Sequence, residues 1–309
     1  MRIGVLSRNA ALYSTGRLVE SGRARGHETF VLDTLQVPVQ VGRPPAAGSG
    51  QLLPELDAII PRIGTSITSL GLAVVRQLEN QGVLTTATSQ AIAQSRDKLH
   101  SLQVMSAWGL PTPKTSVVTR GEEIDAALES AGGLPVVVKL IRGTQGQGVF
   151  LIRDRRTIVA LLNNLQAMRE QLLIQEYIRE AGGRDLRVIV VGRRCLAAME
   201  RTAAQGDFRS NLHRGGTARA VVLDAETQAL AWQACQAHGL GAAGVDLLRS
   251  RRGPLLLEVN SSPGLEGIER VTGVDVAGGM IAYLEEQLAR RRPKGVRRRP
   301  RLSFQSRAG

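Results

Sequence analysis

Apolar and polar positions alternate in short blocks along the first ninety residues. RIGVLS, ETFVLD and DAIIPR are brief, nearly continuous apolar runs, and helix-like stretches over residues 12–25 and 67–80 lie between and after them. Such alternation predicts a parallel sheet flanked by helices. Residues 42–50, rich in Gly, Pro and Ala, read as loop. A second unit begins near Thr88. Ser89 is placed to cap a helix running through Lys98 to Trp108, and Gly109, Pro111 and Pro113 end it. The strand TSVVT follows, then a helix opening at Gly121-Glu122-Glu123, the strongly apolar strand LPVVVKLI, a glycine-rich loop, the strand GVFLI, a helix over 155–170 and the strand LLIQEYI. The third unit holds DLRVIVVG, RCLAAMERT, a polar loop around DFRSNLHRGG, ARAVVL, a helix over 226–238, the strands GVDLLRS and PLLLEVN, and a last helix near 276–288. No internal repeat is visible.

The most informative segment is GVDLLRSRRGPLLLEVNSSPGLEG, because its register can be worked out. Arg251-Arg252-Gly253 reads as a three-residue hairpin loop whose last position suits the left-handed conformation that glycine takes freely. With Ser250 facing Pro254, Asp246 falls opposite Glu258, and Asn260 projects from the same face two residues on. Two carboxylates on a mostly apolar face call for a cation, and a hard ion such as Mg²⁺ meets that need. A solvent-facing polar row is the competing reading, and a bulge would shift the register by one.

The run KLIRGTQGQG, from Lys139 to Gly148, lies between two apolar strands. Its glycines let backbone N–H groups approach phosphate oxygens, and Lys139 adds positive charge. A flexible hairpin is the alternative. The run leads into a strand, whereas Rossmann and Walker motifs open a helix at once.

Composition narrows the classes. A chain of 309 residues with 43% hydrophobic and 22% charged residues suits a globular protein of two or three domains. No apolar run approaches the roughly 20 residues that span a bilayer, and MRIGVLSRN reads as a strand and not as a secretory signal. Cys195 and Cys235 have no metal or redox spacing, so a reducing, cytoplasmic setting is expected. The net charge is +13, but eight arginines and Lys294 with no acid lie from Arg290 onward, which leaves +4 for residues 1–289. That end reads as a disordered cationic tail, either simply solvated or directed at an anionic partner.

Taken in order, Lys98, Lys139 with the glycine run, QEYI at residues 175–178, Asp185, Asp246 and Glu258-Val259-Asn260 resemble the ATP-grasp pattern. IPRIGT, DKL, VVKLIRGTQGQGV, GDFRSNLHRGG, AGVDLLR and LEVNSSPGLEGIE resemble more closely the RimK family of ribosomal-protein-modifying alpha-L-glutamate ligases, over about residues 1–288. The resemblance implies an α/β and α+β protein with the ATP-grasp fold. It would have a pre-ATP-grasp parallel-sheet domain (1–88), a lid carrying the glycine loop (89–179), a metal-binding subdomain (180–289) and the basic tail (290–309).

By similarity, Lys98 and Lys139 contact the phosphates of ATP, while Gly143, Gly146 and Gly148 close over them. Glu176 and Tyr177 meet the adenine edge largely through backbone groups, and Asp185 accepts from a ribose hydroxyl. Arg209, Ser210 and Asn211 complete the nucleotide side, and Asp246, Glu258 and Asn260 hold two Mg²⁺ or Mn²⁺ ions. Arg201, Arg209 and Arg214 are candidates for gripping carboxylates, because a guanidinium offers a bidentate fork. His213 is a candidate substrate contact; His27, His100 and His238 read as structural or surface residues.

The implied reaction joins a carboxylate to an amine through an acyl-phosphate, which needs position and charge neutralisation more than a nucleophilic side chain. The implied substrates are L-glutamate and the C-terminus of the sixth small-subunit ribosomal protein, with polyglutamate synthesis as a second reaction. The tail would touch ribosomal RNA or the acidic product, with no membrane partner and a homo-oligomer as an open option. The alternatives are a ligase with another peptide or small-molecule acceptor, and a non-enzymatic RNA-binding protein acting through the tail.

Overall fold

A computed structural model describes residues 1–41, 55–140, 148–166, 171–210, 212 and 215–291. The basic tail beyond 291 and the glycine run at 141–147 lie outside the described residues.

The first unit is a four-stranded parallel sheet of β1 (Arg2–Leu6), β2 (Glu28–Leu32), β3 (Ala58–Pro61) and β4 (Leu84–Thr85), in the order β2-β1-β3-β4. All four residues of β3 are buried, as expected of a parallel strand covered on both faces. The helices α1 (Tyr13–Ala24) and α2 (Thr68–Asn80) cover it. Helix α2 buries Gly71, Val74, Val75 and Leu78, a stripe at helical spacing, and the chain turns at Gly82 with φ +83°.

The helix expected over 89–108 is two: α3 (Ser89–Arg96) and α4 (Lys98–Ala107). Asp97 breaks it with an extended backbone and caps α4 by accepting from the His100 N–H at 2.9 Å. Thr88, not Ser89, caps α3, while the Ser89 hydroxyl binds Glu79. Both helices pack into the core between the first sheet and the C-terminal sheet through Ala91, Ile92 and Met105. The break places Lys98 at the first position of α4.

A second sheet is antiparallel, with β5 (Thr115–Val118), β6 (Val136–Leu140), β7 (Val149–Ile152) and β8 (Leu172–Glu176) in the order β5-β8-β6-β7. With α5 (Ile124–Ser130) and α6 (Arg155–Gln166) it builds a core of its own around Val136, Val138, Ile158, Leu162 and Ile174.

The third sheet has the order β11-β10-β9-β12-β13, from β9 (Arg184–Val191), β10 (Arg194–Thr202), β11 (Thr217–Ala220), β12 (Ala242–Ser250) and β13 (Gly253–Asn260). All its pairings are antiparallel. Helices α7 (Ala225–Ala237), α8 (Glu266–Thr272) and α9 (Val276–Arg291) flank it. Helix α8 was not expected, and α9 runs through Arg290 and Arg291, which the sequence reading gave to the tail. The first and third sheets share two apolar cores. One includes Leu6, Ile59, Val188 and Val245, the other Ile3, Val5, Ile189 and Ile281.

Candidate active site

The hairpin β12–β13 reaches the expected pairing by an unexpected path. Its turn is Arg251-Arg252, with Ser250 opposite Gly253 and Arg249 opposite Pro254, so the three-residue loop is corrected to two residues. Gly253 does take a positive φ, +96°. A bulge between Asp246 and Leu247 then adds one residue on β13 and restores Asp246 opposite Glu258. Asn260 lies on the same face, two residues beyond Glu258.

Asp246 is 5% exposed and is not a bare carboxylate waiting for a metal. Arg187 grips it with both prongs at 2.7 and 2.6 Å, and Arg201 adds a bond at 2.9 Å. Arg201 also holds Asp185 at 2.7 and 2.6 Å. These charges form a row across the sheet, since Arg201 pairs with Asp185, Arg187 with Asp246, and Asp246 with Glu258. Burial alone would raise Asp246, but Arg187 and Arg201 hold it at about 2, so it is ionised at neutral pH. Burial pushes Asp185 up, and the charge of Asp246 adds to this against the pull of Arg201. Burial works against the charge on Arg201, yet the two carboxylates raise it on balance.

Two expectations therefore change. Arg201 is no open clamp for a substrate carboxylate, because its fork is filled by Asp185 and Asp246. Asp185 is no open acceptor for a ribose hydroxyl: it is 6% exposed, with both oxygens on Arg201 and the Ser210 hydroxyl beside it. Arg187 was missed, although its place two residues after Asp185 puts it on the same strand face.

At the open end of the row, Glu258 is exposed and lies within electrostatic reach of Lys98 and Lys139. Lys98 extends from the start of α4 and donates to the Leu140 carbonyl at 2.9 Å, so it touches the end of β6 that enters the glycine run. Burial lowers Lys98. Burial brings Lys139 down to about 8, with Glu258 opposing the shift and Lys98 adding to it. The base of the glycine hairpin is closed by Leu140 N–H donating to the Gly148 carbonyl at 2.8 Å. Gly148 has φ +72°, and a Cβ there would meet Leu140 at 2.9 Å, so the position requires glycine.

At the positions expected to meet adenine, the Glu176 N–H is already used by the Lys114 carbonyl at 2.8 Å. The Glu176 carboxylate holds Arg252 at 2.7 Å, which ties the β12–β13 turn to the end of β8. Tyr177 meets Phe208 edge to face, with centroids 6.5 Å apart. Arg209 lies over Phe208, is held by Asp207 at 3.0 and 3.1 Å and reaches the Val149 carbonyl at 3.3 Å. It links the polar loop to β7, and its fork faces Asp207, so the reading of Arg209 as a carboxylate grip is corrected. Gly143, Gly146, Asn211, His213 and Arg214 lie outside the described residues.

The donor set suits a hard divalent ion. The open donors on this face are the exposed Glu258 carboxylate and the Asn260 amide, whose oxygen also accepts from the Ser262 N–H at 2.8 Å, while both Asp246 oxygens already face Arg187 and Arg201. Among the described residues, no three His, Cys, Asp or Glu side chains gather into a metal cluster. Also among the described residues, no helix is long and apolar enough to cross a membrane.

A RimK-like ATP-grasp domain model matches residues 95–284, and a RimK pre-ATP-grasp domain model matches residues 1–92. The chain belongs to the RimK-like ATP-grasp family. Family members of known sequence include a probable alpha-L-glutamate ligase of Pseudomonas aeruginosa, 49% identical over 96% of this chain and 100% of that protein. A protein of the same description from Aliivibrio fischeri is 48% identical over 95% and 98%. Among solved structures, ATP-grasp ligase PsnB complexed with a minimal precursor superposes with a TM-score of 0.73 at 22% identity, covering 93% of this chain and 98% of that one. A RimK domain protein of Sphaerobacter thermophilus gives 0.70 at 24% identity, covering 92% and 99%. The family member described here is an ATP-dependent ligase with the ATP-grasp fold, and the reading of a non-enzymatic RNA-binding protein falls away.

Proposed function

We propose that this RimK-like ligase adds L-glutamate to a peptide C-terminus through an acyl-phosphate, and that the acceptor is the sixth small-subunit ribosomal protein. The observation that carries the reading is the meeting of Lys98 and Lys139 with Glu258, where the second sheet faces the β12–β13 hairpin. The relatives described as probable alpha-L-glutamate ligases support glutamate as the amine. The PsnB complex with a precursor peptide supports a peptide substrate, which this reading takes as the acceptor.

ATP lies between the second and third sheets, with its phosphates on Lys98, Lys139 and the glycine run. Glu258 and Asn260, with Asp246 joining them by family resemblance, would hold Mg²⁺ or Mn²⁺, two ions by the same resemblance, and a bound ion supplies neutralisation of phosphate charge. The lysines seat the phosphates and the buried row keeps Asp246 ionised and oriented. The acceptor carboxylate takes the γ-phosphoryl group. The glutamate amine then attacks the acyl carbon, phosphate leaves, and the amine loses its proton to solvent.

The test incubates the acceptor with enzyme, ATP, Mg²⁺ and glutamate and follows acceptor mass and nucleotide. The expected result is a gain of whole glutamyl residues with ADP as product. Hydroxylamine without glutamate should yield a hydroxamate. AMP formation, or addition to an acceptor whose C-terminus is amidated, would refute the route.

A further inference from the structure

In an open parallel sheet, ligands bind outside the carboxyl ends of the strands, at the point where the strand order reverses. Here that point lies between β1 and β3, because β2 flanks β1 on one side and β3 on the other. Ser7, Arg8 and Asn9 follow β1, and Arg62, Ile63 and Gly64 follow β3. The Arg62 N–H donates to the Leu6 carbonyl at 2.8 Å and keeps the two strand ends together.

Three guanidiniums gather around this crevice. Arg62 is half-buried and donates to the Pro263 carbonyl at 2.6 Å. Arg8 donates to the Ser66 hydroxyl at 3.1 Å. Arg96, from the last turn of α3, donates to Thr68 Oγ1 at 2.7 Å and to the carbonyls of Ile63 and Gly64. Among the described residues none of the three has a carboxylate partner, and Arg62 makes no other side-chain bond. A guanidinium has five N–H donors, so most of those on Arg62 are unanswered. Burial, with the charge of Arg96, brings Arg62 down to about 10, the mark of a desolvated cation lacking its counter-charge.

The crevice adjoins the hairpin that carries Glu258 and Asn260. Pro263 lies three residues past Asn260, and the Ser262 hydroxyl donates to the Pro61 carbonyl at 3.2 Å while its N–H donates to Asn260. A group held by Arg62 therefore sits beside the end of β13.

We propose that Arg62, with Arg8 beside it and Arg96 positioning the loop, forms a carboxylate-binding subsite for the acidic substrate. The inference rests on the ligase reading above and adds the substrate side of the site. The carboxylate has two sources, free glutamate or an acidic end of the acceptor, and the guanidinium chemistry is the same for both.

The test compares full-length wild type, Arg62→Gln and Arg62→Lys in steady-state ligation, with glutamate and acceptor varied in turn. Arg62→Gln should raise the KM of one of them by about tenfold or more, the loss of a charge-assisted hydrogen bond, while the KM for ATP stays within about twofold. The substrate whose KM moves identifies the source, and Arg62→Lys should recover part of the loss. Unchanged KM values for both substrates, or an equal rise for ATP, would overturn the subsite. Should Arg62→Gln not fold, Arg8→Gln at its exposed position takes its place with the same criteria. Calorimetric binding of glutarate separates this inference from the ligase reading. If wild type ligates no glutamate but binds glutarate, and Arg62→Gln does not, the subsite stands and the reaction is reassigned. Equal glutarate binding by both proteins overturns the subsite.

Discussion

Arg201 and Arg62 are the same side chain in opposite settings. Arg201 lies in the third sheet with two carboxylates on its fork, and Arg187 beside it is likewise filled by Asp246. Arg62 lies at the end of the first sheet with one backbone carbonyl and no acid. The first arrangement is closed, with two arginines and two aspartates balancing within the protein. The second is open, and Lys139 and the exposed Glu258 belong with it, each within reach of the other's charge. A closed charge holds the sheet; an open one is available to a ligand.

The sharpest way to break this comparison is at the open end of the row. Glu258→Gln should lower turnover about a thousandfold, several kcal/mol of lost charge stabilisation, without changing the melting temperature, because the side chain is exposed. A merely twofold slower enzyme would show that Glu258 is only a surface acid.

The closed end should respond in stability. Arg201→Met leaves Asp185 buried with no arginine and Asp246 with Arg187 alone, and breaking a buried pair costs about 3–5 kcal/mol. Denaturant unfolding of this variant beside Arg62→Gln measures the contrast directly. Equal losses in the two variants would remove the distinction between closed and open arginines.

Much of the architecture was legible because it rests on local pattern. The apolar runs of β1 and β3 forecast a buried parallel sheet, and the apolar runs around Val136 and Val149 forecast the strands β6 and β7. Asp246 opposite Glu258 was legible too, yet only because two errors cancelled: the turn is one residue shorter than read, and the bulge after Asp246 makes up the difference. A bulge has no strong sequence signature. The break at Asp97 was hidden because DKL continues a helical pattern, and only the capping bond to His100 reveals it. Partners across strands were not legible, so Arg201 was assigned to substrate although its acids lie on β9 and β12.

Lys139 gives a smaller, pH-dependent effect. With its pKa at about 8, Lys139 loses its charge in the free enzyme as pH rises past that value, and the protonated form is the one that attracts phosphate. ATP affinity should therefore be steady below about pH 7 and weaken toward tenfold per unit well above 8. Lys139→Met should bind ATP more weakly throughout and flatten this dependence. A wild-type profile without a bend between pH 7 and 9 would mean that the phosphates do not meet Lys139.

The smallest expected effect belongs to the tail, which carries a third kind of charge. From Arg290 to the end there are nine positive charges and no acid. If they steer the enzyme toward ribosomal RNA or an acidic product, the influence is long-range and subject to screening, whereas a half-buried cation such as Arg62 acts at contact and is screened much less. Truncation after Arg291 keeps α9 whole and removes seven of the nine charges. On the full acceptor it should lower kcat/KM a few-fold at about 10 mM salt, where the Debye length is about 30 Å, and by little at about 150 mM, where it is about 8 Å. A short neutral acceptor should show no loss at either salt, while Arg62→Gln should lose activity at both. Equal rates for truncated and full-length enzyme at low salt would reduce the tail to a solvated end. A loss that persists at high salt would instead make it a contact surface, closer in kind to Arg62 than to a steering field.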